Sequence, residues 1–168
     1  PIFHLNQQVD KITKTDYGWS IETSIGTIIE AKCIVIAAGA GSFVPRKPPL
    51  ENIEEYEDKS IFYSIRDRNK FKDKKILIVG GGDSALDWTN DLAKISNVTL
   101  MHRRKDFRAA PDSVSKMLEL EKQGKINFVL GQLKSLSGKN HQIKEVNYSH
   151  NDLESSIEVD YLLPFFGL

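Results

Sequence analysis

Apolar and polar positions alternate along the first third of the chain and then change period. Val9 to Thr13, Trp19 to Thr23 and Thr27 to Ala31 are short, alternating and rich in β-branched residues. Turn residues at Asp16-Tyr17-Gly18 and Ser24-Ile25-Gly26 separate them, so they predict a three-stranded meander. Cys33 to Ala38 is continuously apolar, the pattern of a strand buried on both faces. It ends at Gly39-Ala40-Gly41, where backbone can approach a neighbour closely.

Residues 45–60 carry Pro45, Pro48 and Pro49 and then Glu51, Glu54, Glu55, Glu57 and Asp58, which reads as a polar connection between domains. Phe62-Tyr63 predicts a short strand and Asp67 to Phe71 a turn of helix. From Lys74 the pattern is strand, helix, strand. Ile76 to Val79 is an apolar strand, and Asp83 to Ile95 has apolar residues at near-helical spacing. Val98 to Met101 is the next strand, completing a βαβ unit. Pro111-Asp112-Ser113 opens a second helix that Gly124 ends, and Ile126 to Leu130 is a further strand. Leu133 to Glu158 predicts a second meander, with turns at Ser137-Gly138 and His150-Asn151-Asp152, and Asp160 to Phe166 is mostly apolar. The fold class expected is α/β.

Gly80-x-Gly82-x-x-Ala85 lies at the junction of the apolar strand and the amphipathic helix. This is the Gly/Ala form of the dinucleotide fingerprint, in the context that gives it meaning. Gly80 would permit the tight turn, Gly82 would leave room for a pyrophosphate, and Ala85 would let helix and strand pack closely. The helix start, with Gly81, Asp83 and Ser84, would turn amide N–H groups and a positive dipole end toward phosphates. About twenty residues on, an NAD-binding unit carries an acid for the ribose hydroxyls. Here Val98 to Lys105 contains no acid, and the chain reads His102-Arg103-Arg104-Lys105 with Arg108 following. Arginine forks match phosphate oxygens and stay charged. The pattern points to NADP(H) rather than NAD(H); the competing reading of the cluster is a solvated charged face. His102 either stacks near an adenine or satisfies a strand end. Gly82-Asp83-Ser84 also resembles a serine nucleophile turn, but nothing marks His102, His141 or His150 as its base. Trp19 and Trp88 read as packing residues, Cys33 as a small buried apolar side chain, and Asp87 and the acids of 51–58 as solvated.

Composition narrows the classes. The chain has 168 residues, 40% hydrophobic and 27% charged, and Lys+Arg 23 balance Asp+Glu 23. That is the make-up of an ordinary globular protein, with no net field toward nucleic acid or an anionic membrane. Without aromatic interleaving, the basic cluster does not read as a nucleic-acid surface. No apolar run approaches a bilayer span, and Pro1-Ile2-Phe3-His4 has none of the features of a signal peptide. A single cysteine forms neither an intrachain disulfide nor a four-cysteine zinc site, and a reducing cytoplasm fits.

Three stretches together resemble the thioredoxin-reductase-like flavoproteins, above all their bacterial ferredoxin/flavodoxin–NADP reductases. They are Ile78 to Trp88, His102 to Ala109, and Ile36 to Arg46. The resemblance spans essentially the whole chain. It implies a Rossmann-like three-layer NADP domain with a β-meander at residues 61–160, and part of an FAD domain, meander and strand, at residues 1–50. Residues 51–60 would link them and 161–168 would cross back. Gly80, Gly81, Gly82, Asp83, Ser84, Ala85, His102, Arg103, Arg104 and Arg108 would line the NADP(H) site, with the three arginines on the 2′-phosphate. Ala38, Gly39, Ala40 and Gly41 would belong to the FAD side. The resemblance also implies hydride transfer from NADPH to FAD, a ferredoxin or flavodoxin partner, and a homodimer. Thioredoxin reductases carry Cys-x-x-Cys in the NADP domain; this chain has no cysteine there, which favours an iron–sulfur or flavin carrier as acceptor. The family's FAD fingerprint would lie before residue 1 and a second FAD segment after Leu168, so firm FAD binding and turnover by this chain alone are not expected. Two related readings are a flavoprotein monooxygenase and a thioredoxin-reductase-like protein without its own Cys-x-x-Cys. A third, from another class, is a non-catalytic NADP-sensing module.

Overall fold

The computed structural model describes residues 1–39 and 45–167, arranged as two compact units divided between Ser42 and Phe43. In the first unit β1 (Val9–Thr15), β2 (Gly18–Thr23) and β3 (Ile28–Ala31) form an antiparallel meander in the order β1-β2-β3. Gly18 closes the first turn at φ +152°, where a Cβ would collide with the carbonyl of Ala31. The Thr23 hydroxyl donates to Gln7 Oε1 at 2.8 Å and accepts from the Thr27 N–H. Thr23 is the only buried residue among the described residues of this unit.

The apolar run Cys33 to Ala38 is a correction to the pattern reading. It forms no strand, and Cys33, Val35 and Ile36 are exposed. An apolar run becomes a buried strand only with ladder partners on its flanks. No described strand of this unit pairs with it.

The second unit has three layers. Its centre is an all-parallel sheet in the order β10-β4-β5-β6, built from β4 (Lys75–Val79), β5 (Asn97–His102), β6 (Ile126–Leu130) and β10 (Tyr161–Pro164). Helices α1 (Asp83–Leu92) and α2 (Pro111–Lys122) make the two crossovers β4-α1-β5 and β5-α2-β6. A second antiparallel meander, β7 (Gln132–Lys139), β8 (Gln142–His150) and β9 (Leu153–Glu158), carries the chain from β6 to β10.

Strand alternation explains why the sheet residues read as continuous apolar runs. Ile76, Ile78, Val98, Leu100 and Leu163 face α1 and α2 and pack with Leu86, Leu92 and Met117. Leu77, Val79, Met101 and Leu162 face the other way and pack with Ile143 and Val146 of the meander. β4, β5 and β10 therefore bury both faces, against helices on one side and a sheet on the other, while the edge strand β6 is only partly covered.

Four sequence expectations shift. Residues 51–60 are part of this unit and not a bare link: Ile53, Tyr56 and Ser60 are buried, and the Ser60 hydroxyl donates to the His141 carbonyl and accepts from the Ile143 N–H. Residues 161–164 are a sheet strand, because Leu162 and Leu163 complete both cores beside β4. Phe62-Tyr63 is not a strand; Ile61 makes only single bridges, to Glu57 and Leu162. The first turn of the second meander lies at Asn140-His141, both at positive φ, and not at Ser137-Gly138. The His141 ring bonds the Glu55 carbonyl at 2.7 Å, which holds this unusual turn residue in place.

Leu77 is fully buried between sheet and meander, whereas Leu118 on α2 is 48% exposed. Urea denaturation followed by far-UV circular dichroism should show Leu77→Ala destabilised by about 2–5 kcal/mol. Leu118→Ala should stay within about 0.5 kcal/mol of the parent.

Candidate functional site

The order β10-β4-β5-β6 reverses chain direction at β4: successive crossovers run from β4 to one side, and β10 returns on the other. In open parallel sheets the crevice beyond the carboxyl end at such a point receives ligands. The glycine turn sits there. Gly80 receives its strand-end bond by donating to the Met101 carbonyl at 3.0 Å. A Cβ on Gly80 would lie 2.5 Å from the Phe165 carbonyl and 2.9 Å from the Ala85 Cβ, so the turn is closed too tightly for any side chain. A Cβ on Gly81 would run into the imidazole of His102. At Gly82 a Cβ would meet nothing within 4 Å; this glycine fronts open space.

Gly82 also caps α1 without a side-chain bond, and the first intrahelical N–H is that of Leu86, bonded to the Gly82 carbonyl. The N–H groups of Asp83, Ser84 and Ala85 thus have no partner within the helix and point out at its positive end. Ala85 is fully buried against the strand, as the fingerprint requires. Ser84 is exposed one residue inside the helix, so it does not serve as the cap.

The basic loop folds against this turn. β5 ends at His102, whose ring stacks on Phe107 with centroids 5.5 Å apart and planes 25° from parallel. Phe107 in turn packs on Phe128 at 5.4 Å. The Arg108 N–H donates to the Gly81 carbonyl at 2.7 Å, and Asp83 Oδ1 accepts the Ala110 N–H at 2.7 Å. Arg103, Arg104, Lys105 and Arg108 are exposed, and none takes part in an ion pair among the described residues. Four exposed cations therefore share this loop with Asp106, none of them in an ion pair among the described residues, beside a helix start with free N–H groups.

Burial lowers the His102 pKa below the ordinary 6.5; a hydrogen bond with the Asp106 backbone opposes this, and Arg103, Arg104 and Arg108 add to the lowering. The imidazole is neutral at pH 7. It packs against Gly81 and Phe107 at the end of β5.

Of the residues expected on the flavin side, Ala38 and Gly39 are exposed in irregular chain, with Gly39 at φ +60°. Ala40 and Gly41 lie outside the described residues. Two clefts occur elsewhere on the second unit. One of about 200 Å³ lies between Lys75, Asn97, Asn127 and Glu158, at the opposite end of the sheet; another of about 390 Å³ lies by Pro49, Asn52 and Lys134. Neither touches the glycine turn.

A family model for pyridine nucleotide-disulphide oxidoreductases matches residues 2–160. The chain belongs to the pyridine nucleotide-disulphide oxidoreductase family. Among curated relatives, it is 50% identical to a ferredoxin–NADP reductase of Parvibaculum lavamentivorans, covering 100% of this chain and 50% of that protein. It is 49% identical to the Rickettsia canadensis protein of the same name, covering 100% and 51%. The chain therefore spans about half the length of the curated relatives it matches. Among solved structures, the thioredoxin reductase of Lactococcus lactis aligns with TM-score 0.74 at 27% identity, covering 96% of this chain and 52% of that one. A thioredoxin reductase of Giardia duodenalis shares the fold, with TM-score 0.78 at 21% identity, over 97% and 53%. The architecture is thus the thioredoxin-reductase-like form of this family.

The glycine turn and the arginines were expected from the sequence; Phe107 and Ala110, which pack and bond against them here, were not. Phe107 two residues after the basic run is an available signal for a stacked strand end; the Asp83–Ala110 bond has none.

Two measurements probe this geometry. Gly80→Ala should lower stability by about 1–3 kcal/mol in urea, because Phe165 and Ala85 must both move. Proton NMR titration should place the His102 midpoint below 6.5. The sign follows: above that value both folded and unfolded imidazoles are neutral, and as pH falls through it the unfolded chain takes up the proton first. Stability contributed by His102 is therefore lost on acidification.

Proposed function

We propose that the second unit binds NADPH, and that the chain serves a flavoprotein oxidoreductase of the ferredoxin–NADP reductase type. The observation that supports this best is the pairing of an open glycine turn with an exposed arginine cluster at one edge of the sheet. The residues suit the nucleotide. Gly82 leaves space for a pyrophosphate, and the N–H groups of Asp83, Ser84 and Ala85 supply donors and the positive end of α1. Arg103, Arg104 and Arg108 take the 2′-phosphate in forked hydrogen bonds. Gly80, Gly81, Ala85 and His102 act from behind, by letting turn, helix and loop close on one another.

FAD, when bound by the whole protein, supplies the exchange between a two-electron hydride and single electrons. Nothing in the second unit need act as acid or base. Its task is to hold the nucleotide and present the nicotinamide, which lowers the entropic cost of the encounter. Ala38 to Gly41 would serve the flavin side. The relatives' name supports ferredoxin as acceptor, with flavodoxin the chemical equivalent, and a homodimer is the assembly proposed. The only cysteine of this chain is Cys33, so residues 43–168 contain no dithiol to relay electrons to a disulfide, which favours a one-electron carrier as acceptor. Among the described residues, no helix is long and apolar enough to cross a membrane.

Calorimetric titration at low salt should show clear preference for NADP⁺ over NAD⁺. Arg103→Ala with Arg104→Ala should abolish the preference by weakening NADP⁺ alone, by roughly a hundredfold for two charged contacts. Equal affinity for both nucleotides in the parent chain would make the basic cluster a solvated face. Gly82→Ala offers an independent check. With open space around its Cβ it should still fold, at a cost of about 1 kcal/mol for the poorer cap, yet lose affinity for both nucleotides.

A further inference from the structure

Asp83 poses a problem for the reading above. It puts a carboxylate at the first position of α1, beside the turn that would face a pyrophosphate, where a second negative charge is unwelcome. Its side chain resolves the conflict by turning onto the basic loop, where Oδ1 accepts the Ala110 N–H at 2.7 Å. We propose that Asp83 is a positioning residue that sets the preference for a 2′-phosphorylated dinucleotide by fastening the basic loop to the glycine turn; this rests on the nucleotide reading above.

The geometry around Ala110 is the basis. Ala110 is the cap residue of α2 and has no side chain that could cap it; Pro111 follows and has no N–H. Pro111 at the first helical position and Asp112 favour the helix start, but no side chain of α2 holds Ala110 itself; a carboxylate from the preceding helix does. That carboxylate sits at the positive ends of α1 and α2 together and accepts a charge-assisted hydrogen bond. Two residues earlier, the Arg108 N–H is bonded to the Gly81 carbonyl at 2.7 Å. The stretch from Arg108 to Ala110 is thus pinned at one end to the glycine turn and at the other to the first residue of α1. At the other end of the loop, Arg103 and Arg104 follow directly from β5, which its ladder already holds.

The consequence is specific to the phosphate on the ribose. Guanidiniums held in place before binding lose less freedom on capturing a phosphate. Release of the Asp83 bond leaves the stretch from Arg108 to Ala110 held only by the Arg108 N–H on Gly81, and so loosens the loop that would take the 2′-phosphate. The pyrophosphate donors on α1 remain, and a nearby negative charge is removed. A ligand role or a purely structural role for Asp83 would move both nucleotides together.

The test is calorimetric titration of the full chain and its variants with NADP⁺, NAD⁺, 2′,5′-ADP and 5′-ADP. Asp83→Ala should weaken NADP⁺ and 2′,5′-ADP roughly tenfold while NAD⁺ and 5′-ADP stay within about twofold. Asp83→Asn keeps an acceptor oxygen and should restore most of the preference. Ala110→Pro removes the donor from the other side at a φ of −55° that suits proline, and should reproduce the Asp83→Ala pattern even if that variant folds poorly. Equal weakening of all four ligands, or unchanged NADP⁺ affinity in both variants, would overturn the inference. If the parent chain itself does not distinguish NADP⁺ from NAD⁺, the nucleotide reading fails first and this inference with it.

Discussion

Close backbone approach at Gly80 and Gly81 is the constraint on which the candidate site depends. At Gly80 the strand end, the start of α1 and the carbonyl of Phe165 come so near that one methyl group would separate them. At Gly81 the same holds for the His102 ring, and the Gly81 carbonyl is then free to accept the Arg108 N–H. Two crossovers that are independent in the chain, β4-α1 and β5-α2, are joined there into one edge. Further out the packing relaxes at Gly82, where space opens in front of unpartnered N–H groups. A dense interior behind an open face is what a rigid anion site requires, because the donors are ordered by packing that no ligand has to create.

The three-layer arrangement supplies the rigidity. β4, β5 and β10 are covered by helices on one side and by the antiparallel meander on the other, so the strand ends that carry the turn and the loop are fixed from both faces. Ser60 and His141 tie the segment after the prolines to the meander, and the segment thereby becomes part of the body. Lys47 and Tyr63 both bond the carboxylate of Glu57, at 2.8 and 2.6 Å, fastening the same segment. The first unit is different in kind: its meander is paired throughout, with one register shift between Val9 and Lys11, and has almost no interior among the described residues.

Much of the second unit was legible in the sequence for a physical reason. Strands buried on both faces are apolar throughout, and Ile76 to Val79 ends in a fingerprint whose first glycine, Gly80, is required by contacts that any side chain would break. The same rule misled at Cys33 to Ala38, where apolarity was present but ladder partners were not. Ser137-Gly138 read as a turn, yet Gly138 serves a close approach to Tyr56 and Gln142 at a register shift. Asn140-His141 took the turn because the His141 ring and carbonyl have partners 86 and 81 residues away in sequence. Prolines and acids at 45–58 looked solvated because the few apolar residues among them, Ile53 and Tyr56, carry no periodic signal. Asp83 belonged to a familiar motif, but its bond to Ala110 depends on how the second crossover returns, which no local pattern records.

The central claim is that the glycine turn and the basic loop form one nucleotide site. Amide chemical-shift mapping of this 19.0 kDa chain during addition of NADP⁺ tests it most directly. The account requires the largest shifts at Gly81 to Ala85 and at Arg103 to Ala110 together, saturating with one midpoint. Shifts centred on Lys75, Asn97 and Asn127 at the opposite end of the sheet, or on only one of the two segments, would contradict it.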